Sequence, residues 1–256
     1  VTFTLIGHRG AMGLEPENTL RSFRRAVAEG ADAVELDLWV SRDGHLVILH
    51  DGDVSRTTDG KGNVADLTLA ELKALDAGRG ETIPTFDEVL DVVDIPIQAE
   101  IKAFAAGRVA VDTIRDRELL DRVTVTSFSV DVIADTRDYF SGVRTGLISS
   151  RAPQDLLDKA GELGVEVLCL GLAHLDAEFV GECDRRGLEV IGWPANDADR
   201  LLHALRIGVA GVTSDFPDLL RTSRTEVPEV GELLAARAGT VAGSGQAQAT
   251  SGHVSP

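Results

Sequence analysis

Nine short runs rich in Val, Ile, Leu and Ala punctuate this 256-residue chain, and stretches of helical periodicity separate nearly all of them. The strand-like runs are 3–7, 33–40, 46–50, 95–101, 122–126, 145–148, 165–170, 188–193 and 211–213. Between them fall helical patterns at 17–29, 69–75, 85–93, 108–117, 129–139, 153–163, 176–186, 197–206 and 217–224, the last extendable to 238. Strands joined through helices pair in parallel, because a right-handed crossover returns the chain in the same direction. About eight such strands in a chain of this size favour a closed (β/α)8 barrel, with an open doubly wound sheet as the competing arrangement. The exception lies between the second and third runs, where Asp43-Gly44 marks a tight turn and so an antiparallel pair.

Element borders have local causes. Gly30, Gly164, Gly187 and Gly208 each follow a helical run, where a left-handed closing residue is needed. Glu15-Pro16-Glu17-Asn18-Thr19 reads as a first helical turn, since proline lacks only an N–H that is unpaired there and the helix dipole favours carboxylate. Residues 51–80 carry Gly60, Gly62, Gly78 and Gly80 around one short helix and read as an excursion from the barrel. Residues 1–238 therefore form one domain with an insertion at 51–80. Residues 239–256, nearly all Gly, Ala, Ser, Thr, Gln and Val, offer no apolar face and are expected to form a flexible tail.

Charge narrows the partners. With 25 Lys+Arg against 42 Asp+Glu, the net charge of −17 opposes nucleic-acid binding or docking on anionic membranes, which need clustered cations. A small anionic substrate remains compatible, because a metal or a few cations can invert the field within one cleft. No apolar run is long enough to span a bilayer, so stable membrane insertion is not expected. Cys169 and Cys183 read as reduced core thiols. Without a recognisable leader the expected location is the cytoplasm; the chain does not begin with Met, so secretion after removal of a leader is the alternative. The expected state is a monomer or a weak homo-oligomer.

Chemistry gathers where strands should end. Ile6-Gly7-His8-Arg9-Gly10 sets an imidazole and a guanidinium after the first strand, and Ile48-Leu49-His50-Asp51 ends another with a second His. Glu35 and Asp37 share one side of a strand, as do Glu100 and Lys102, because side chains alternate with period two. A lone strand-end histidine is usually structural. Three carboxylates facing one point are different, because they repel and resist burial unless a positive charge lies between them. At the C-terminal mouth of a barrel, Glu35, Asp37 and Glu100 would present only oxygen, favouring one hard divalent ion, Mg²⁺ or Ca²⁺, over Zn²⁺ or copper.

His8-Arg9-Gly10, Pro16-Glu17-Asn18-Thr19, Glu35-x-Asp37, Asp43-Gly44 with His50-Asp51, Arg56-Thr57-Thr58-Asp59-Gly60 and Glu100-x-Lys102 follow one another in an order that resembles the glycerophosphodiester phosphodiesterase family. Pro84-Thr85 leading into Glu88-Val89-Leu90, Ser127-Phe128 and Thr213-Ser214-Asp215-Phe216-Pro217 extend the resemblance over roughly residues 5–220. It implies a (β/α)8 barrel with a small insertion after the second strand, His8 and His50 as an acid–base pair, and Glu35, Asp37 and Glu100 as metal ligands. It further implies Arg9 and Lys102 on the phosphate, and a metal-dependent hydrolysis of glycerophosphodiesters to sn-glycerol 3-phosphate and an alcohol. The attacking oxygen is water, or a neighbouring substrate hydroxyl acting through a cyclic phosphate. Where the family commonly reads Trp-Thr-Val-Asn, this chain has Trp193-Pro194-Ala195-Asn196, with Trp193 an apolar wall for the substrate. Glu17 and Asn18 fit the family motif, but first-turn capping and loop hydrogen bonds account for them, and they are left out of the catalytic set. His174 and His203 have no ligand-spaced partner and read as surface residues. The competing functions are a lysophospholipase D-type lipid phosphodiesterase and a non-catalytic barrel that binds a polyol phosphate.

Overall fold

The structure is a computed structural model that describes residues 3–153 and 155–244, with side chains through residue 238. In chain order the elements are β1 (Thr4–Gly7), α1 (Leu20–Ala28), β2 (Ala33–Val40), β3 (Leu46–Ile48), α2 (Leu69–Lys73), α3 (Phe86–Val92), β4 (Ile97–Ile101) and α4 (Phe104–Asp116). There follow β5 (Val123–Ser127), α5 (Val130–Tyr139), β6 (Arg144–Ser149), α6 (Leu156–Leu163), β7 (Val167–Gly171), α7 (Ala177–Arg185), β8 (Glu189–Trp193), α8 (Ala198–Ile207), β9 (Gly211–Ser214), α9 (Leu219–Glu226) and α10 (Pro228–Ser244).

Eight parallel strands run in the order β1-β2-β4-β5-β6-β7-β8-β9, and β9 pairs back with β1, so the sheet closes. This is the (β/α)8 barrel expected from the alternation. β3 is the added strand and runs antiparallel to the end of β2, with Leu38 opposite Ile48. The intervening turn closes through Gly44 N–H donating to Ser41 O at 3.0 Å, and Gly44 takes φ 89°, where a Cβ would be strained.

Apolar side chains fill three layers. Within the barrel, Ile6, Ala33, Val167, Cys169 and Ile191 form a small plug. Outside, one cluster seats α1, α3 and α4 against β2, β4 and β5, centred on Phe23, Leu36, Phe86 and Ile114. A second seats α7, α8 and α10 against β7, β8 and β9. Truncating a fully buried aromatic such as Phe23 or Phe86 to Ala removes about 3–5 kcal/mol of this scaffold's stability. The insertion has its own core of Val54, Val64, Leu72 and Ala77 packed on Val47 and Leu49. Its helix α2 starts with a capping box, in which Thr68 and Glu71 satisfy each other's backbone N–H groups.

Two borders differ from the sequence expectation. α1 begins at Leu20 with Thr19 as its cap, so Glu17 and Asn18 lie in the preceding loop, not in a first turn. Asn18 takes φ 57°, a left-handed conformation that a helical residue cannot hold. At the other end α10 reaches Ser244, beyond 238; the remainder of the expected tail, 245–256, lies outside the described residues. Among the described residues no helix is long and apolar enough to cross a membrane.

Candidate active site

Parallel register stacks the acids. Glu35 stands opposite Gln98 and Asp37 opposite Glu100 on neighbouring strands β2 and β4, so three carboxylates project inward at adjacent levels. All three are buried, and one oxygen from each lies within 4.8 Å of the others. Burial, then repulsion from Asp37, pushes the Glu35 carboxyl up to about 8 and raises that of Glu100 as well. Lys102, just past β4, offsets part of this charge, with Nζ 2.6 Å from Glu100 Oε1 and 3.1 Å from Asp37 Oδ1. The second contact is an ion pair without hydrogen-bond alignment, so Asp37 Oδ1 keeps no hydrogen-bond partner. Three convergent oxygens, a deficit of positive charge and an orphaned buried oxygen fit a hard divalent cation. Oxygen-only donors do not favour a soft one.

The two histidines approach from different elements. His8 follows β1 directly, and its Nδ1 lies 2.6 Å from Asp215 Oδ1 on the segment after β9, the strand that closes the barrel. Asn196 fixes Asp215 by donating from Nδ2 to Oδ2 at 2.7 Å and accepting the Asp215 N–H at 2.9 Å. His8 Nε2 lies 3.9 Å from Glu35 Oε2. Burial lowers the His8 pKa, but Asp215 and Glu35 together outweigh it, and the group sits above the ordinary histidine value. Asp215 is held low in turn: burial would raise it, and the hydrogen bonds from His8 and Asn196 more than reverse that.

His50 arrives by the hairpin. Leu49 N–H donates to Asp37 O at 3.1 Å, which carries the next residue to the mouth, where His50 Nδ1 lies 2.6 Å from Asp51 Oδ1. Arg56 donates from Nε to the other Asp51 oxygen and from both terminal nitrogens to Glu17, at 3.0 and 2.8 Å. The Arg56 hydrogen bond holds Asp51 down at about 2. Burial lowers the His50 pKa below its ordinary value, with Lys102 and Arg9 adding to it against Asp37 and Asp51.

Arg9 sits between these groups with φ 48°, a conformation that costs a non-glycine residue of order 1–3 kcal/mol. Its N–H donates to Glu35 Oε2 at 3.0 Å, its Nη1 donates to Glu17 Oε1 at 2.9 Å, and its Nε lies 3.4 Å from Asp37 Oδ2. The next residue has to be glycine: Gly10 has φ 82°, and a Cβ there would stand 2.5 Å from Ser22 Oγ. Glu17 and Asn18, left out of the catalytic set from sequence on the strength of capping and loop hydrogen bonds, lie in a loop against the site. Glu17 is clamped by Arg9 and Arg56, and Asn18 Nδ2 donates to Asp37 Oδ2 at 2.8 Å. Trp193 closes the wall of the hollow edge-to-face on Phe128, ring centres 6.1 Å apart, and the Trp193–Pro194 peptide is cis. Ser127 anchors that loop by donating to Ile101 O at 2.9 Å.

Arg9, Glu35, Glu100, His8, His50 and Trp193 therefore line one hollow, and Asp37 and Lys102 are tied to its acids. Buried side-chain polar atoms without a hydrogen-bond partner concentrate at the same place: Arg9 Nε, Asn18 Oδ1, Asp37 Oδ1 and Trp193 Nε1. Arg122 Nε, Thr126 Oγ1 and Thr136 Oγ1 are likewise unpartnered elsewhere, so it is the grouping of four at one hollow that suits a ligand or ion. Asp215 and Asn196 fall within quoted motifs, yet sequence reasoning gives neither a role in the site. The available signal was the position of Asp215 just after a strand that, in a closed barrel, must neighbour the one before His8.

A barrel with acids, imidazoles and cations converging at its C-terminal mouth defines a hydrolase-type site for an anionic ester. The family model of glycerophosphoryl diester phosphodiesterases matches residues 8–219. A glycerophosphodiester phosphodiesterase of Caldanaerobacter subterraneus subsp. tengcongensis is 31% identical over 231 residues, covering 84% of this chain and 95% of the relative. Among solved structures, an Oleispira antarctica phosphodiesterase in complex with the product sn-glycerol-3-phosphate is similar with a TM-score of 0.82 and 29% identity, covering 87% of this chain and 96% of that one. A glycerophosphodiester phosphodiesterase from Thermotoga maritima is similar with a TM-score of 0.76 and 26% identity, covering 87% and 98%. The chain belongs to the glycerophosphoryl diester phosphodiesterase family and is a phosphoric diester hydrolase.

Proposed function

We propose that this enzyme hydrolyses glycerophosphodiesters to sn-glycerol 3-phosphate and an alcohol, with one Mg²⁺ or Ca²⁺ held by Glu35, Asp37 and Glu100. The observation that carries the reading is the buried three-carboxylate cluster flanked by two histidines, each tied to its own aspartate. Held by these three carboxylates, such an ion would supply positive charge to offset the charge that grows on the phosphate in the transition state. Arg9 and Lys102 add to that charge and orient the ester.

The histidines divide the proton transfers. His50, whose pKa is lowered by burial, is the better suited of the two to take the proton from the attacking oxygen, through Nε2, since Nδ1 is committed to Asp51. His8, whose pKa is raised by Asp215 and Glu35, is the better suited of the two to hold a proton and deliver it to the departing alkoxide as the phosphorus–oxygen bond to the alcohol breaks. Trp193 and Phe128 form the apolar wall against substrate carbon. Residues 1–238 act as one catalytic domain, and the insertion at 51–80 supplies Arg56, which steadies Asp51 behind His50.

The test is hydrolysis of glycerophosphocholine read by release of glycerol 3-phosphate, with and without exhaustive chelation. Activity abolished by chelator and restored by Mg²⁺ or Ca²⁺ supports the reading; full activity in chelator removes it. A second reading, lysophospholipase D activity, is favoured by exposed apolar side chains at the ends of neighbouring strands: Phe104 after β4 is 58% exposed and Phe128 after β5 is 51% exposed. Relative turnover of a long-chain lysophospholipid and glycerophosphocholine separates the two.

A further inference from the structure

A second cavity, of about 300 Å³, opens beside the catalytic hollow, and Trp193 and Pro194 line both. Its far side is built from the turn after β7 and from α8, which bring His174, Arg200 and His203 together. The spacing that made the two histidines look unrelated in sequence is spanned by the β7–β8 pairing. Neither imidazole hydrogen-bonds to any described residue. Arg200 is held only loosely, with Nη1 3.4 Å from Pro194 O and Nε 3.7 Å from Asp197 Oδ2. Trp193 in the shared wall carries a buried Nε1–H with no acceptor. In a chain of net charge −17, one cavity thus gathers two imidazoles and an indole N–H without hydrogen-bond partners beside a loosely held guanidinium.

Resting on the diesterase reading above, we infer that this cavity binds a phosphate monoester carried on the alcohol half of the substrate. The glycerol half bears no charge beyond the reacting diester, so a distal anion can only come from the other alcohol. A phosphate monoester offers three oxygens to the imidazole and guanidinium donors, and Leu172 and Pro194 give an apolar wall for the connecting carbons. The enzyme thereby prefers diesters whose alcohol is itself phosphorylated, and hydrolysis of the carboxylic esters of a glycerophospholipid with a phosphorylated headgroup, leaving the phosphodiester intact, would supply them.

The experiment compares glycerophosphoglycerol with the same molecule carrying a terminal phosphate. We expect the added phosphate to lower KM about tenfold with kcat little changed, as charge-assisted hydrogen bonds of ordinary strength would. Arg200→Gln with His203→Gln should raise KM for the phosphorylated substrate to that of its parent and leave the parent unaffected. As a variant that removes no side-chain contact, Ala173→Glu at an exposed position of the same cavity should weaken only the phosphorylated substrate. Equal KM for the two substrates in wild type, or an unchanged ratio in both variants, overturns the inference while leaving the diesterase reading intact. If neither substrate is hydrolysed, both fall together.

Discussion

The two histidine–aspartate pairs make one contact in two settings. In each, Nδ1 lies 2.6 Å from a carboxylate oxygen, yet the pKa of His8 moves up and that of His50 moves down. Burial does not explain the direction, because His8 is the less exposed side chain, 23% against 33%, and burial alone lowers a histidine. The surroundings decide. Asp215 is held by a neutral Asn196, so its charge acts on His8, and Glu35 adds to it. Asp51 is already engaged by Arg56, and His50 faces Lys102 as well; Arg9 opposes protonation of both histidines and does not separate them. An aspartate behind a histidine therefore fixes its tautomer in both places, but its partner sets how much charge the imidazole feels.

The account can be broken first at the charge the histidines flank. Glu35→Gln should cut kcat at least about a thousandfold, the several kcal/mol expected of a lost metal-ion contribution. The same change should raise the melting temperature of the metal-free protein at neutral pH. The folded state raises the Glu35 pKa, so ionised Glu35 costs stability as pH climbs past the unfolded value, and a neutral amide avoids that cost. A fall in both activity and metal-free stability would mean that the acid is structural.

Next are the histidines themselves. His8→Ala and His50→Ala should each lower kcat by about 10²–10⁴, measured as glycerol 3-phosphate release at saturating substrate. The pairs then separate by pH. Activity should fall on the acid side as His50 gains a proton and on the alkaline side as His8 loses one. Asp215→Asn removes the hydrogen bond that raises His8, so the alkaline limb of kcat/KM should move to lower pH, with about tenfold loss at neutral pH. The smallest effect is expected from Arg56→Gln. It frees the Asp51 charge to act on His50, so the acid limb should shift upward, with a loss of only a few-fold. If both variants move the same limb, the division of roles is wrong.

The same contrast explains what could be read from the chain. The barrel was legible because every strand–helix alternation is local, and period two alone places Glu35 with Asp37 and Glu100 with Lys102. His8 and His50 were legible as strand-end residues. Glu17 and Asn18 were not: Pro16 resembles a helix start, and only the tertiary fold, with Asn18 at φ 57° and its amide on Asp37, shows a loop pressed into the site. Asp215 and Asn196 depend on closure of the sheet between β9 and β1, a contact 207 residues apart that no local pattern carries. The His174, Arg200 and His203 grouping was likewise invisible, because it depends on the register of β7 against β8.

The most direct measurement is calorimetric titration of Mg²⁺ or Ca²⁺ into metal-free enzyme and into a variant with Glu35, Asp37 and Glu100 changed to their amides. The account predicts one ion bound per wild-type chain and none by the folded variant. Equal binding by the two proteins, or none by an active wild type, would contradict it.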